Sequence, residues 1–225
     1  MNTSTTAPRA RTLGALLLLG ACLSPAALGC ALTSKSEAVV PRYFSPELTS
    51  GRAPSAAGHV DTRLELKLGH VDHASYLDER VVYRDSAYEL GYYEERRWTE
   101  APDEYLKREL GRVLFEERGL RRVIGGAGPT LETELTGFEE IRAPAHVARV
   151  QVTARLQDDR LVRWVDTFTV DQAISQKPGA DDASAVAAAL GQALRTVVAQ
   201  IADRAVSTLN APPPVEATST KTVSR

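Results

Sequence analysis

The two cysteines of this 225-residue chain are the residues whose chemistry the neighbouring sequence defines best. Small or aliphatic residues precede each one, in Leu19-Gly20-Ala21-Cys22 and in Ala27-Leu28-Gly29-Cys30. This pattern is typical of a lipobox, in which the cysteine receives a lipid and the signal peptide is cleaved directly before it. Cys30 is followed by a polar segment, whereas cleavage at Cys22 would leave a short signal peptide. The pattern favours lipidation of Cys30, with Cys22 as the alternative.

The segment before the cysteines has the pattern of an export signal. Arg9 and Arg11 supply positive charge, residues 12–28 contain no charged side chain, and residues 13–19 form a short apolar core. This core is too short for a comfortable membrane span and matches the apolar region of a signal peptide. An ordinary secretory signal or an uncleaved anchor with incidental cysteines is the alternative. Because Ala31 rather than aspartate follows Cys30, proteobacterial sorting rules favour the outer membrane, with the protein facing the periplasm.

Histidine and glycine clusters raise the questions of a metal site and of a phosphate site. His70 and His73 flank Asp72, but a spacing of three at the end of a strand places the two imidazoles on opposite faces. We expect a solvated loop after the strand there. The glycine-rich segment 125–129 lacks the lysine and the Ser/Thr of a phosphate-binding loop, and we expect a turn. The sequence therefore predicts no metal site and no cofactor apart from a covalent lipid with fatty-acyl chains such as palmitate.

The remaining polar residues do not suggest catalysis. The acidic pairs Glu94-Glu95, Glu139-Glu140 and Asp181-Asp182 stand among arginines or loop residues, as on solvated faces. There is no Gly-x-Ser-x-Gly motif, and cleavage before Cys30 leaves no other cysteine, which excludes a Cys/His hydrolase. A net charge of −2, with both signs interspersed, does not indicate a nucleic-acid-binding surface. We expect a protein that is not an enzyme.

Composition divides the chain into four parts. We expect a signal peptide over residues 1–29, then the lipidated cysteine and a flexible tether over residues 30–60, rich in Ser, Pro, Ala and Gly. A folded domain is expected over residues 61–210, and a disordered tail rich in Pro, Thr and Ser over residues 211–225.

Within the folded part, hydrophobic periodicity predicts both strands and helices. Residues 101–118 are predicted to form an amphipathic helix that is capped by Gly119, and residues 183–209 a long helix with an apolar stripe through Leu190, Leu194, Val197 and Ile201. The predicted strands span residues 62–70, 80–84, 87–93, 120–124, 130–142, 146–157 and 161–171. This order predicts an α+β fold, in which two helices cover one face of a mainly antiparallel sheet.

Three segments carry a resemblance to a known family. They are Tyr76-Leu77-Asp78-Glu79-Arg80-Val81-Val82-Tyr83-Arg84, Tyr88-Glu89-Leu90-Gly91-Tyr92-Tyr93 and Arg97-Trp98-Thr99-Glu100-Ala101-Pro102. Together they resemble the ABC-type transport auxiliary lipoproteins, which include the outer-membrane lipoprotein of the paraquat-inducible system. The opening Cys30-Ala31-Leu32 and the later Arg42-Tyr43-Phe44 are similar to the lead from anchor to domain in that family, which adds weight to Cys30.

The resemblance implies a function that composition alone does not. It implies a non-catalytic component of an ABC-type lipid transport system, which docks a periplasm-spanning Mce (mammalian cell entry) domain protein at the outer membrane. The other expected partners are the ABC permease and ATPase of that system, with the membrane contacted through the lipid. The oligomeric state stays open, a homo-oligomer included. The rival hypothesis is an envelope-assembly lipoprotein that activates a cell-wall synthase.

The motif residues are the candidate partner-binding site. A loop aromatic such as Tyr76 more often marks a binding surface than a core. Tyr92 and Tyr93 should occupy opposite faces of one strand, so that one of them is exposed. Trp98 is equally compatible with the core under the first helix and with a partner contact. We expect one partner-binding surface, formed by Tyr76, Leu77, Asp78, Tyr92, Tyr93 and Trp98.

Overall fold

A computed structural model describes residues 39–46, 64–159, 161–175 and 182–211 of the chain. The strands are β1 (Arg42–Phe44), β2 (Glu65–His73), β3 (Arg80–Ser86), β4 (Glu89–Trp98), β5 (Arg121–Arg122), β6 (Thr130–Ile141), β7 (Val147–Gln157) and β8 (Val162–Ala173). The helices are α1 (Pro102–Gly111), which continues as a π-helical segment over Arg112–Glu117, and α2 (Asp182–Asn210). The fold is α+β, as predicted.

The longest ladders of the sheet are antiparallel. β7 pairs antiparallel with both β6 and β8 along its whole length. Its alternating residues Val150, Val152, Ala154 and Leu156 are fully buried, as their period of two predicts, and form one wall of the core. The predicted antiparallel character therefore rests chiefly on this three-stranded meander and on the β3–β4 hairpin.

Strand β6 is the point where the sheet branches. One edge of β6 pairs with β7, and the other edge is shared by two strands that run parallel to it. The first half of β6 pairs with β2, which then pairs with β5, and the second half pairs with β3, which continues to β4 and β1. A bulge between Leu135 and Gly137 separates the two halves. These parallel pairings bring segments that are distant in sequence into contact around β6.

Both helices lie on one face of the sheet. The predicted stripe of α2 is core, since Leu190, Leu194, Val197 and Ile201 are at most 4% exposed, and α2 packs mainly on β7 and β8. Among the described residues, α2 is the one helix that is long and apolar enough to cross a membrane, with a mean hydropathy of 1.4. However, 61% of that apolar window is buried inside the domain, as in the core helix of a soluble protein.

The first helix begins and ends as predicted but changes its winding. Pro102 occupies its first turn, and Gly119 after its end has the left-handed φ of 67° that favours glycine. From Arg112 onward the turns widen, and the Arg118 amide donates to the Val113 carbonyl, five residues back. Both Val113 and Leu114 remain buried in this wider segment.

Two local predictions were wrong. His70 and His73 belong to β2 and not to a loop after it, because parallel pairing with β6 continues as far as His73 and Leu135. The strands predicted over residues 80–84 and 87–93 place a turn at Asp85-Ser86, but the β3–β4 turn lies at Ala87-Tyr88. The Tyr88 amide donates to the Ser86 hydroxyl, which is the local bond that such turns use.

Part of the predicted tether is docked on the domain. β1 pairs parallel with β4, and the Thr99 amide donates to the Phe44 carbonyl. Pro46 lies so close to α2 that a side chain at Gly191 would overlap the Pro46 carbonyl. The chain is therefore held against the domain from Arg42 to Pro46, inside the 30–60 segment. Cys22, Cys30, the predicted signal peptide and residues 212–225 lie outside the described residues.

Candidate functional site

The loop between β2 and β3 carries three of the predicted site residues. Tyr76 is half-buried, and its hydroxyl donates to the carbonyl of Thr136 at 2.7 Å, in the bulge of β6. Leu77 is fully buried, while Asp78 is exposed and its carboxylate accepts from the Glu79 amide at 2.8 Å. The loop is therefore fixed from below by Tyr76 and Leu77 and presents Asp78 to solvent.

The neighbouring tyrosines of β4 point to opposite faces of the sheet. The guanidinium carbon of Arg80 lies 4.0 Å from the centroid of the Tyr92 ring. The ring of Tyr93 lies under Arg96 at 3.8 Å and meets Tyr83 edge-on, with 5.0 Å between ring centroids. Both tyrosines are half-buried, because arginine side chains cover them, so neither is exposed in the way that we expected.

Two of the predicted contact residues lie in the core. Trp98 is 2% exposed and packs edge-to-face on Phe138 with 5.2 Å between ring centroids, while Leu77 is 0% exposed. The expectation that all six residues share one partner-binding surface is corrected accordingly. Burial assigns Leu77 and Trp98 to packing, and the alternation of β4 separates Tyr93 from the others.

The residues that do come together lie on the face of the sheet that carries no helix. We call this set the Tyr76 surface, and it consists of Tyr76, Asp78, Arg80, Arg84 and Tyr92. The guanidinium of Arg84 donates two hydrogen bonds of 3.0 Å to the carboxylate of Glu139, which is only 4% exposed. Burial, together with the nearby Glu139 carboxylate, raises the pKa of Tyr76 above its ordinary value, so the phenol stays protonated at neutral pH. This surface offers aromatic rings, a protonated phenol and arginines in fixed positions.

A second polar group lies directly behind the first, on the helix side of the sheet. We call it the Glu140 cluster, and it consists of Tyr83, Tyr93, Glu140, Arg142 and His146. The Tyr93 hydroxyl donates to Glu140 at 2.5 Å, and His146 Nε2 lies 2.6 Å from the other carboxylate oxygen. Burial, together with the bond to Glu140, raises the pKa of Tyr93 to about 12.

Sequence reasoning missed the two central carboxylates. Glu139 and Glu140 were expected on a solvated face, yet they are 4% and 2% exposed. The structure buries both because β3 and β4 approach β6 there and supply Arg84 on one face and Tyr93 on the other. A signal was available in the sequence, since the pair stands between the apolar residues Phe138 and Ile141 at the end of a strand.

Other candidate chemistry is sparse in the described parts of the chain. Within these ranges, no three His, Cys, Asp or Glu side chains are placed to share a metal ion. His70 pairs with Asp72 and His73 with Asp103, each at 3.1 Å. An open cavity of about 470 Å³ lies on the helix-free face and is lined by His70, Asp72, Glu132, Thr133, Glu134, Thr153, Arg155 and Val165. Its central Glu132 and Arg155 already pair with each other across the strands.

The family model for the ABC-type transport auxiliary lipoprotein component matches residues 47–202. The chain belongs to this family. A protein of this family is an auxiliary lipoprotein of an ABC-type transport system, which makes this protein a membrane-anchored component of the cell envelope. The resemblance that rested on Tyr76 to Pro102 is thereby confirmed. A comparison with curated proteins found no match.

Solved structures are similar to this family member in fold. A protein from Xanthomonas campestris shares 23% sequence identity with a TM-score of 0.60, covering 74% of this chain and 95% of that one. An uncharacterised protein shares 20% identity with a TM-score of 0.55, covering 74% of this chain and 99% of its own. At these identities the similarity extends to the fold alone.

Proposed function

We propose that this auxiliary lipoprotein is anchored in the outer membrane through a lipid on Cys30 and docks a periplasm-spanning Mce-domain protein there. The permease and ATPase of the same transport system would work in the inner membrane, and the lipoprotein would contribute a binding surface and no catalysis. In this proposal residues 1–29 are the signal peptide and residues 61–210 contain the docking domain. Membership of the transport family supports the general role.

The observation that carries the docking proposal is the Tyr76 surface. Tyrosine and arginine are the residue types that most often dominate binding energy in protein interfaces. Here they are fixed before any partner arrives, since Tyr76 is bonded to β6 and Arg84 to Glu139. A fixed surface loses little conformational entropy on binding, which favours affinity. Asp78 and Arg80 add exposed charges of opposite sign, which can select a partner of complementary charge.

The test removes the exposed charges and leaves the buried supports in place. The variant Asp78→Ala with Arg80→Ala deletes two exposed side chains, so the melting temperature should change little. Capture of the purified Mce-domain protein should weaken by tenfold or more. We leave Tyr76 intact, because its hydroxyl bonds to Thr136 and its loss would also lower stability.

The matched control is Glu104→Ala with Lys107→Ala. It also removes one acidic and one basic exposed side chain, but on α1, on the other face of the sheet. This variant should bind like the wild-type protein. If the control weakens binding and the Asp78/Arg80 variant does not, the partner docks on the helix side and the Tyr76 surface is not the site.

A further inference from the structure

The large exposed hydrophobic side chains of the described residues fall into two groups along the chain. The first group lies in β1, just before it and in the β3–β4 turn, and the second lies before β6 and at the start of β8. The first consists of Val39, Val40, Tyr43 and Tyr88, and the second of Ile124, Leu161, Val162 and Val165. Tyr88 and Ile124 are the most exposed, at 99% and 96%.

Strand register places Tyr88 and the second group at opposite ends of the sheet. β3 runs parallel to β6, so the β3–β4 turn with Tyr88 lies beside the end of β6, where the Arg142 amide donates to the Arg84 carbonyl. β1 runs parallel to β4, so the chain enters β1 from the Tyr88 side. Ile124 precedes β6, and Leu161 lies in the β7–β8 turn opposite the start of β6, so both lie at the other end.

The entry of the chain into the domain is rigid. β1 is bonded to β4, the Thr99 amide donates to the Phe44 carbonyl at 3.0 Å, and Pro46 packs on Gly191 of α2. The nine residue steps from Cys30 to Val39 span at most about 30 Å, whatever their conformation. A lipid on Cys30 therefore keeps Val39 within about 30 Å of the bilayer surface.

We propose that the end formed by Val39, Val40 and Tyr88 rests on the bilayer that holds the lipid anchor. The proposal depends on lipidation of Cys30, which is part of the proposed function. Tyrosine favours the membrane–water interface, and the transfer of exposed valine side chains out of water is favourable. An apolar contact next to the lipid buries further apolar surface and adds to the attachment. The opposite end, with Ile124 and Leu161, then faces away from the membrane.

This orientation makes the Tyr76 surface accessible from the side. Tyr76 bonds to Thr136 near the middle of β6, between the two ends of the sheet. A partner that approaches along the membrane normal would then meet the Ile124 end first and slide along the helix-free face to reach Tyr76. Membrane contact and partner docking thus use different parts of the domain.

The test measures depth in the membrane at single positions. The acylated protein is reconstituted into phosphatidylcholine vesicles that contain nitroxide-labelled lipid, and a fluorophore is attached to one introduced cysteine. The chain has two cysteines, Cys22 and Cys30, so a mature protein lipidated at Cys30 has no competing thiol. The variants are Val40→Cys and Tyr88→Cys, with Ile124→Cys as the matched control at the far end. Lipid quenching should be at least threefold stronger at positions 40 and 88 than at position 124.

A further variant separates contact from simple tethering. With the fluorophore at Tyr43→Cys, which is an exposed position, the substitutions Val40→Asp and Tyr88→Asp should reduce quenching by about half or more, because charged side chains disfavour the interface. Equal quenching at positions 88 and 124, or unchanged quenching in the aspartate variant, overturns the proposal.

Mass spectrometry of the same sample distinguishes the two levels of failure. A protein without lipid on Cys30 would contradict the anchor in the proposed function, and the orientation with it. A protein with that lipid but with uniform quenching would contradict the orientation alone.

Discussion

Two adjacent glutamates on β6 are buried on opposite faces of the same sheet, and different kinds of partner satisfy their carboxylates. Glu139 accepts two hydrogen bonds from the guanidinium of Arg84, whose charge persists at every pH that the fold tolerates. Glu140 accepts from the phenol of Tyr93, whose pKa is raised to about 12, and one of its carboxylate oxygens lies 2.6 Å from His146 Nε2. The Glu139 side is therefore a fixed ion pair, whereas the Glu140 cluster is a hydrogen-bond network in which the Tyr93 phenol titrates only in alkali.

The difference suggests different roles for the two faces. A permanent ion pair beneath the Tyr76 surface keeps the proposed docking residues in one geometry. On the helix side, Arg142 lies over the ring of Tyr83 at 3.6 Å and pairs with Asp85 at 3.3 Å, next to the β3–β4 turn. The Glu140 cluster thus ties the turn that carries Tyr88 to the end of β6.

The largest expected effect is on the Glu139 side. Arg84→Ala leaves a nearly buried carboxylate without its guanidinium, and losing one partner of a buried pair costs about 3–5 kcal/mol. We expect urea denaturation at neutral pH to show a loss of about 3 kcal/mol. The control Arg155→Ala breaks the more exposed pair with Glu132 on the same face and should cost under about 1 kcal/mol. Similar losses in the two variants would contradict the structural role of Glu139 burial.

An intermediate effect is expected for the Glu140 cluster. Tyr93→Phe removes the hydroxyl that donates to Glu140 but keeps the ring against Tyr83, and His146 remains as a partner. A hydrogen bond to a charged group contributes about 1.5–3 kcal/mol, so we expect a loss of about 2 kcal/mol at pH 7. A loss as large as that of Arg84→Ala would mean that the two carboxylates depend equally on their partners.

The same variant also tests the response to pH. The Tyr93 pKa is about 12 in the folded protein and near 10 when unfolded, so the unfolded state loses its proton first. The stability that Tyr93 contributes is complete below pH 10 and falls as the pH rises through the window from 10 to 12. The Tyr93→Phe protein lacks this titration, so the gap in stability between it and the wild-type protein should narrow over that window. A constant gap would show that Tyr93 does not titrate with the fold.

The smallest expected effect concerns an exposed pair on the helix-free face. Arg149 donates two hydrogen bonds of 2.7 Å to Asp171, and these bonds lower the pKa of Asp171 below its ordinary value. Its contribution to stability is present above the ordinary pKa near 3.8 and is lost as the pH falls through the lower folded value. Asp171→Asn should cost under about 1 kcal/mol at pH 7, with the difference vanishing in acid melts. A cost that persists at low pH would point to packing rather than charge.

Local sequence patterns predicted most of the strands and helices and most of the core residues. The alternation in β7 and the stripe of α2 predicted which side chains are buried, because a period of two or of 3.6 places apolar residues on one face. Gly119 was likewise predicted to cap the first helix, from its position directly after an amphipathic segment. Errors fell where an element depends on a remote partner, as at His73, which stays in β2 because β6 lies beside it.

The candidate site was predicted in part. The motif drew attention to Tyr76, Asp78 and Tyr92, which do lie near one another, and the loop and strand positions were available from the pattern. The motif also included Leu77 and Trp98, which are buried in the core. A motif records residues that a family retains, and retention does not distinguish packing from contact.

The amino-acid sequence alone determined the α+β class and the family resemblance, and it predicts an export signal with two candidate lipidation cysteines. Those conclusions rest on residue types and their spacing within short segments of the chain. The tertiary structure alone decided that Glu139 and Glu140 are buried, that Arg84 and Tyr93 donate hydrogen bonds to them on opposite faces, and that β1 docks on the domain. These outcomes depend on which distant strands pair with β6, since the partners of Glu139 and Glu140 lie 55 and 47 residues away along the chain.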